Sequence, residues 1–78
     1  MDVDLHGMNL YQARIALAGA FKRATAADYR MRVIHGYRQG STIKDMVMNE
    51  FSHHPRVLRV ENTPNPGETV FVLRELYS

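Results

Sequence analysis

Cysteine is absent from the chain, and that absence removes disulfides, thiolate metal sites and cysteine nucleophiles together. Any metal must then be held by histidines and carboxylates. A small fold without disulfides also fits a reducing compartment. Long apolar runs are lacking too, since no stretch approaches the roughly 18 residues a membrane span requires. The opening Met1-Asp2-Val3-Asp4 is acidic where a secretory leader is basic, so the expected location is the cytoplasm, away from membranes. Repeats and low-complexity segments are missing. So is a strong excess of one charge: the formal net charge is +2, too small to argue for nucleic acid by itself, because an electrostatic footprint depends on clustering as well as on the total.

What is present is an ordinary globular composition, 45% hydrophobic and 23% charged over 78 residues. That length makes room for one domain, residues 1–78, with one core. Domains of this size bury only about 60% of their unfolded surface, so stability is expected to be marginal.

Periodicity predicts the order β-α-β-α-β-β. A first strand over residues 2–5 alternates, with Val3 and Leu5 on one face and Asp2, Asp4 and His6 on the other. Asn9 is a good N-cap with Gln12 at the capping-box position, which starts a helix near Leu10 that should run to about Ala26. Leu10, Ala13, Leu17, Phe21 and Ala24 form its buried stripe, and Lys22 and Arg23 suit its C-terminal dipole. A second strand over 30–35 alternates before turning apolar. A loop over 36–40 follows, and then Ser41 or Thr42 caps a helix whose inner positions are Ile43, Val47 and Phe51, ended by Pro55. Strands over 57–60 and 69–73 flank a return containing Pro64, Pro66 and Gly67. Strands joined through helices should be parallel, and right-handed crossovers place both helices on one face, giving an α/β fold of two layers with a mixed four-stranded sheet.

This order points to a place. In α/β sheets, ligands gather beyond the carboxyl ends of parallel strands, where helix N-termini present unpaired N–H groups to anions. Both His-Gly pairs, His6-Gly7 and His35-Gly36, lie there. Asp4 precedes His6 by two residues, which puts both on one strand face, so the carboxylate can orient the imidazole or stabilise its protonated form. Such a cluster suits a phosphodiester.

Val3-Asp4-Leu5-His6-Gly7 is similar to the LDLHG motif of the Smr (small MutS-related) family, and His35-Gly36-Tyr37-Arg38-Gln39-Gly40 stands where that family carries HGxGxG. The later Pro66-Gly67-Glu68-Thr69-Val70 resembles the glycine-then-strand ending of the domain. The resemblance spans nearly the whole chain. It implies a βαβαββ fold similar to the C-terminal domain of translation initiation factor three, nucleic-acid binding, and endonuclease activity on DNA or RNA as in several members. The family's Asp-x-His pair falls on Asp4 and His6, and its second histidine and glycine fall on His35 and Gly36. The family's middle glycine is Arg38 here, which offers a side-chain contact to phosphate in place of a backbone cradle.

The catalytic candidates are therefore Asp4, His6 and His35, with one histidine as general base and the other as general acid. Gly7, Gly36, Tyr37, Arg38, Gly40, Ser41 and Lys44 are the candidates for substrate binding. A competing route uses Mg2+ held by Asp2, Asp4 and His6 to activate water. His53-His54 is better explained as a helix end than as a metal pair. Arg30, Arg32, Arg56 and Arg59 form either a basic sheet face for phosphates or edge-strand charges that discourage aggregation. Three function classes stay open: an endonuclease, a non-catalytic nucleic-acid-binding module and a protein-interaction adaptor. The residues do not choose RNA over DNA, a ribosome over a repair complex as the larger partner, or an oligomeric state.

Overall fold

The computed structural model describes residues 1–37 and 41–75. Its elements are β1 (Asp2–Asp4), α1 (Leu10–Arg23), β2 (Arg30–Ile34), α2 (Thr42–Met46) running directly into a π-helical turn (Val47–Phe51), β3 (Arg59–Glu61) and β4 (Glu68–Val72). They form one four-stranded sheet in the order β1-β2-β4-β3. β1 and β2 are parallel, and β4 runs antiparallel to both β2 and β3. The final hairpin thus folds back, inserting β4 between β2 and β3.

Binary patterning decides the faces. Val3, Met31, Val33 and Phe71 point to one side and are buried against Ala13, Leu17, Ala20 and Phe21 of α1 and against Met46 and Val47 of the second helix. Both helices therefore cover the same face. Phe21 gathers an aromatic cluster, stacking on Phe51 at 5.8 Å and on His54 at 4.1 Å, with Phe71 tilted at 5.9 Å. His54 spends its ring on this contact and its Nδ1 accepts the Arg56 N–H, which accounts for it without a metal.

Helix α1 begins as expected, with the full capping box formed: the Asn9 side chain accepts from the Gln12 N–H and the Gln12 side chain accepts from the Asn9 N–H. It ends at Arg23 and not near Ala26. The reason is local. The Asp28 carboxylate accepts from the Thr25 N–H at 2.8 Å, and the Thr25 hydroxyl accepts from the Ala27 N–H at 3.2 Å. These side-chain bonds offer the backbone a turn in competition with another helical turn. At the second helix, Ser41 occupies the N-cap position but makes no side-chain cap, its hydroxyl going to Asp45 at 3.0 Å. The helix stops at Phe51, ahead of Pro55, where the Ser52 hydroxyl bonds back to the Met48 carbonyl.

The open face of the sheet carries paired charges. Arg32 bonds Asp2 at 2.9 Å and approaches Glu68 at 3.5 Å; Arg30 and Arg59 both pair with Glu61, and Arg59 also with Glu75. Arg56 instead donates to the Phe21 carbonyl at the end of α1. The arginines therefore do not make a free basic face. On β4, Val70 and Val72 point to this side yet are buried, which fits the aliphatic stems of cross-strand partners Arg30, Arg32 and Arg59 lying over them. Among the described residues, no helix is long and apolar enough to cross a membrane.

Candidate functional site

The parallel pairing of β1 with β2 aligns Asp4 with Ile34, so the two His-Gly pairs leave the same edge of the sheet. Leu5 holds this alignment past the strand end through its N–H to the Ile34 carbonyl at 2.7 Å. Each glycine then turns the chain at positive φ, +79° at Gly7 and +76° at Gly36, a conformation costly for residues with a Cβ. A methyl group on Gly36 would lie 3.6 Å from the Cβ of His6. The two motifs, 29 residues apart in sequence, are therefore side by side.

The two histidines have different surroundings. His6 is exposed, its Nδ1 hydrogen-bonded to the Asp4 carboxylate, and its backbone N–H donates to the same oxygen at 3.0 Å. These bonds, the side-chain one first, hold the Asp4 carboxyl below the usual carboxylate range. With Asp4 ionised, Nδ1 must donate, and Nε2, which has no hydrogen-bond partner among the described residues, keeps the lone pair. His35 is 5% exposed. Its Nδ1 lies 2.9 Å from the Gly36 carbonyl, which can only accept, so Nδ1 carries the hydrogen; its Nε2 lies 2.9 Å from the Thr69 hydroxyl. Neither nitrogen of His35 is free for a substrate. The sequence-based pairing of two histidines as base and acid is not assembled in this geometry, because burial and two internal bonds occupy the second ring.

A second strap fixes the same loop. The Gly67 carbonyl accepts from the N–H groups of both His35 and Gly36, each at 2.9 Å. The Gly36 amide is thus engaged within the protein. Gly67 itself is buried beneath Tyr37: a Cβ there would come within 3.1 Å of the tyrosine ring and 3.2 Å of the Asn65 side chain. Asn65 orders this turn by accepting the Gly67 N–H at 2.8 Å.

Between these loops opens a cleft of about 520 Å³. Of the residues expected to bind substrate, Gly7, Gly36 and Tyr37 line it together with His6 and His35. Ser41 and Lys44 are not among its described lining residues, although Thr42 and Ile43 between them are. Arg38 and Gly40 lie outside the described residues. Asn9, Asn65 and Thr69, which sequence reasoning did not assign to the site, belong to its rim or its support. Only the asparagine-proline-glycine run 65–67 carried a signal for this, and it read as a turn.

The donor set does not suit a resident divalent ion. Among the described residues there is no group of three His, Cys, Asp or Glu side chains able to hold a metal. Asp2, expected beside Asp4 and His6, is turned to Arg32.

A two-layer βαβαββ domain with a histidine–carboxylate pair at the carboxyl edge of its parallel strands is a recognisable class. The family model described as the Smr domain matches residues 3–72, and the chain belongs to that family, one associated with nucleic-acid binding and nuclease activity. Among solved structures, it is similar to the crystal structure of the Smr domain of Thermus thermophilus MutS2, with a TM-score of 0.80, 24% identity, and coverage of 95% of this chain and 98% of that one. This likeness establishes the fold. Comparison with curated proteins yields no match.

Proposed function

We propose that this domain binds the backbone of RNA or DNA and cleaves a phosphodiester with His6 as its proton-transferring group. One observation carries the reading: His6 lines the cleft, paired through Nδ1 with an exposed Asp4, and its Nε2 has no hydrogen-bond partner among the described residues. An ionised Asp4 accepting from Nδ1 fixes the tautomer in which Nε2 has the lone pair. Nε2 then takes a proton from the attacking oxygen, either water or a ribose 2′-hydroxyl. The leaving oxygen, on the far side of an in-line displacement, takes its proton from solvent. The N–H groups of Leu10 and Tyr11, which the capping box at the start of α1 leaves without a partner among the described residues, receive a phosphate oxygen. His35 acts as a positioning residue that holds the Gly36 loop against the strand end.

The test incubates the wild type, His6→Ala and Asp4→Asn with end-labelled structured RNA, single-stranded RNA and supercoiled DNA, in magnesium or in EDTA. Cleavage by the wild type that falls at least tenfold in both variants supports the reading, and the substrate cut names the polymer. Activity that survives His6→Ala sinks it. Binding without cleavage on every substrate leaves a non-catalytic nucleic-acid module, and the absence of both leaves an adaptor. Persistence in EDTA separates proton transfer by His6 from a magnesium route. Association with a ribosome or a repair complex is a further proposal of the same kind, read by co-sedimentation with each.

A further inference from the structure

The cleft beside His6 is built differently from a phosphate site. Its wall is apolar, made by Met8, Leu10, Ile34 and Ile43. At one side stands the Tyr37 ring, 58% exposed and propped from beneath by Gly67. Around the rim, the side-chain oxygens of Asn9 and Asn65 are used in the N-cap and in the Gly67 turn. Their NH2 groups, and the Thr42 hydroxyl, have no hydrogen-bond partner among the described residues. A volume of about 520 Å³ lies within the range of sites that enclose small organic groups. Apolar walls, a supported aromatic face and unpaired amide donors are the chemistry that holds a heteroaromatic ring by stacking and by hydrogen bonds to its edge.

We infer that this cleft takes the nucleobase of an unpaired nucleotide, stacked on Tyr37, next to the phosphodiester that His6 attacks. The inference rests on the proposed nucleic-acid role and adds its substrate class: a strand whose target base is free of a double helix. A base inside a duplex is stacked and paired, and it reaches a pocket only by leaving the stack. A bulged or single-stranded base has no such contacts to give up. Gly67 has a specific part here, because a Cβ in its place would lie 3.1 Å from the tyrosine ring and oblige the ring to shift. The NH2 groups of Asn9 and Asn65, unpaired among the described residues, suit acceptor atoms, which every base carries on its edges, so recognition is of an unpaired base and not of one sequence.

The test measures fluorescence anisotropy of 5′-fluorescein hairpins, in RNA and in DNA, that are fully paired, carry one bulged nucleotide, or carry one abasic bulge. Binding to the base-bearing bulge should be about tenfold tighter than to the abasic one, the size expected for one stacked base. Tyr37→Ala should remove that difference, and Tyr37→Phe should keep it. Equal affinity for the base-bearing and abasic bulges, or a base effect indifferent to Tyr37→Ala, overturns the inference. Cleavage does not enter the readout. Base-dependent binding without cleavage therefore retains the inference while the nuclease reading fails, and cleavage without base dependence does the reverse.

Discussion

The imidazole of His6 and the carboxylate of Asp4 are joined twice, through the ring Nδ1 and through the backbone N–H of His6, both to one oxygen of Asp4. The pair depresses the Asp4 pKa from its ordinary value of 3.8. An NMR titration of the Asp4 carboxyl carbon should find its midpoint below that value. His6→Ala should return it only part of the way, because the backbone bond survives the substitution. Stability from the pair is present above pH 3.8 and is lost as pH falls through the lower folded value, so His6→Ala should lower stability above pH 3.8, with the difference from the wild type shrinking as the pH falls through that value. A midpoint at the ordinary value in the wild type would rule out the pair in solution.

Thr69→Val keeps the shape of a buried residue but leaves Nε2 of His35 without its partner. An unsatisfied buried acceptor costs about 1–3 kcal/mol, and in a domain of this size each kcal/mol moves the melting temperature by roughly 4–8 °C. Thermal unfolding followed by circular dichroism should show that loss for Thr69→Val and recover most of it in Thr69→Ser.

Gly36→Ala and Gly67→Ala separate two reasons for a glycine. At Gly36 the added methyl has room, but φ is +76°, so the cost is backbone strain of about 1–2 kcal/mol, read as a lower urea midpoint. At Gly67 the methyl meets the Tyr37 ring at 3.1 Å. That variant should shift the Tyr37 ring resonances, whereas Gly36→Ala should leave them closer to their wild-type positions.

Leu17 is fully buried on α1 at the centre of the core. Leu17→Ala should cost about 2–5 kcal/mol, against a total stability on the order of 4–12 kcal/mol for a chain of this length. Denaturant unfolding should find a lower midpoint with an unchanged slope, the loss being a large fraction of the total. A loss below 1 kcal/mol would mean that the helix packs elsewhere.

Much of the fold was legible because its signals are local. The alternation in 30–34 separates Met31 and Val33 from Arg30 and Arg32 without reference to any other segment, and strand pleating does the rest. Asn9 and Gln12 mark the start of α1 because both halves of the capping box lie within one turn. Its end was misplaced by three residues because Ala24 and Ala26 favour helix, while the Thr25–Asp28 bonds that win are side-chain contacts that helix propensity does not weigh. The candidate site was legible as a list of residue types and only partly as an arrangement. Gly7, Gly36 and Tyr37 do line the cleft beside His6, whereas Ser41 and Lys44, three residues apart on the second helix, are not among its described lining residues.

By itself the sequence determined the order of elements, the inward face of each strand and the placement of both His-Gly pairs after parallel strands, since all three follow from residue spacing and backbone geometry. Only the tertiary structure decided what each histidine is free to do. The partner of His6 lies two residues away on the same strand face, so spacing predicts the contact. His35 has one local partner, the Gly36 carbonyl at Nδ1, but Thr69, which occupies Nε2, and the Gly67 carbonyl, which takes its backbone N–H, lie more than 30 residues further along. They reach it because the last hairpin folds back and inserts β4 beside β2, a choice made by burial of Phe71 and Thr69 in the shared core and not by any local signal.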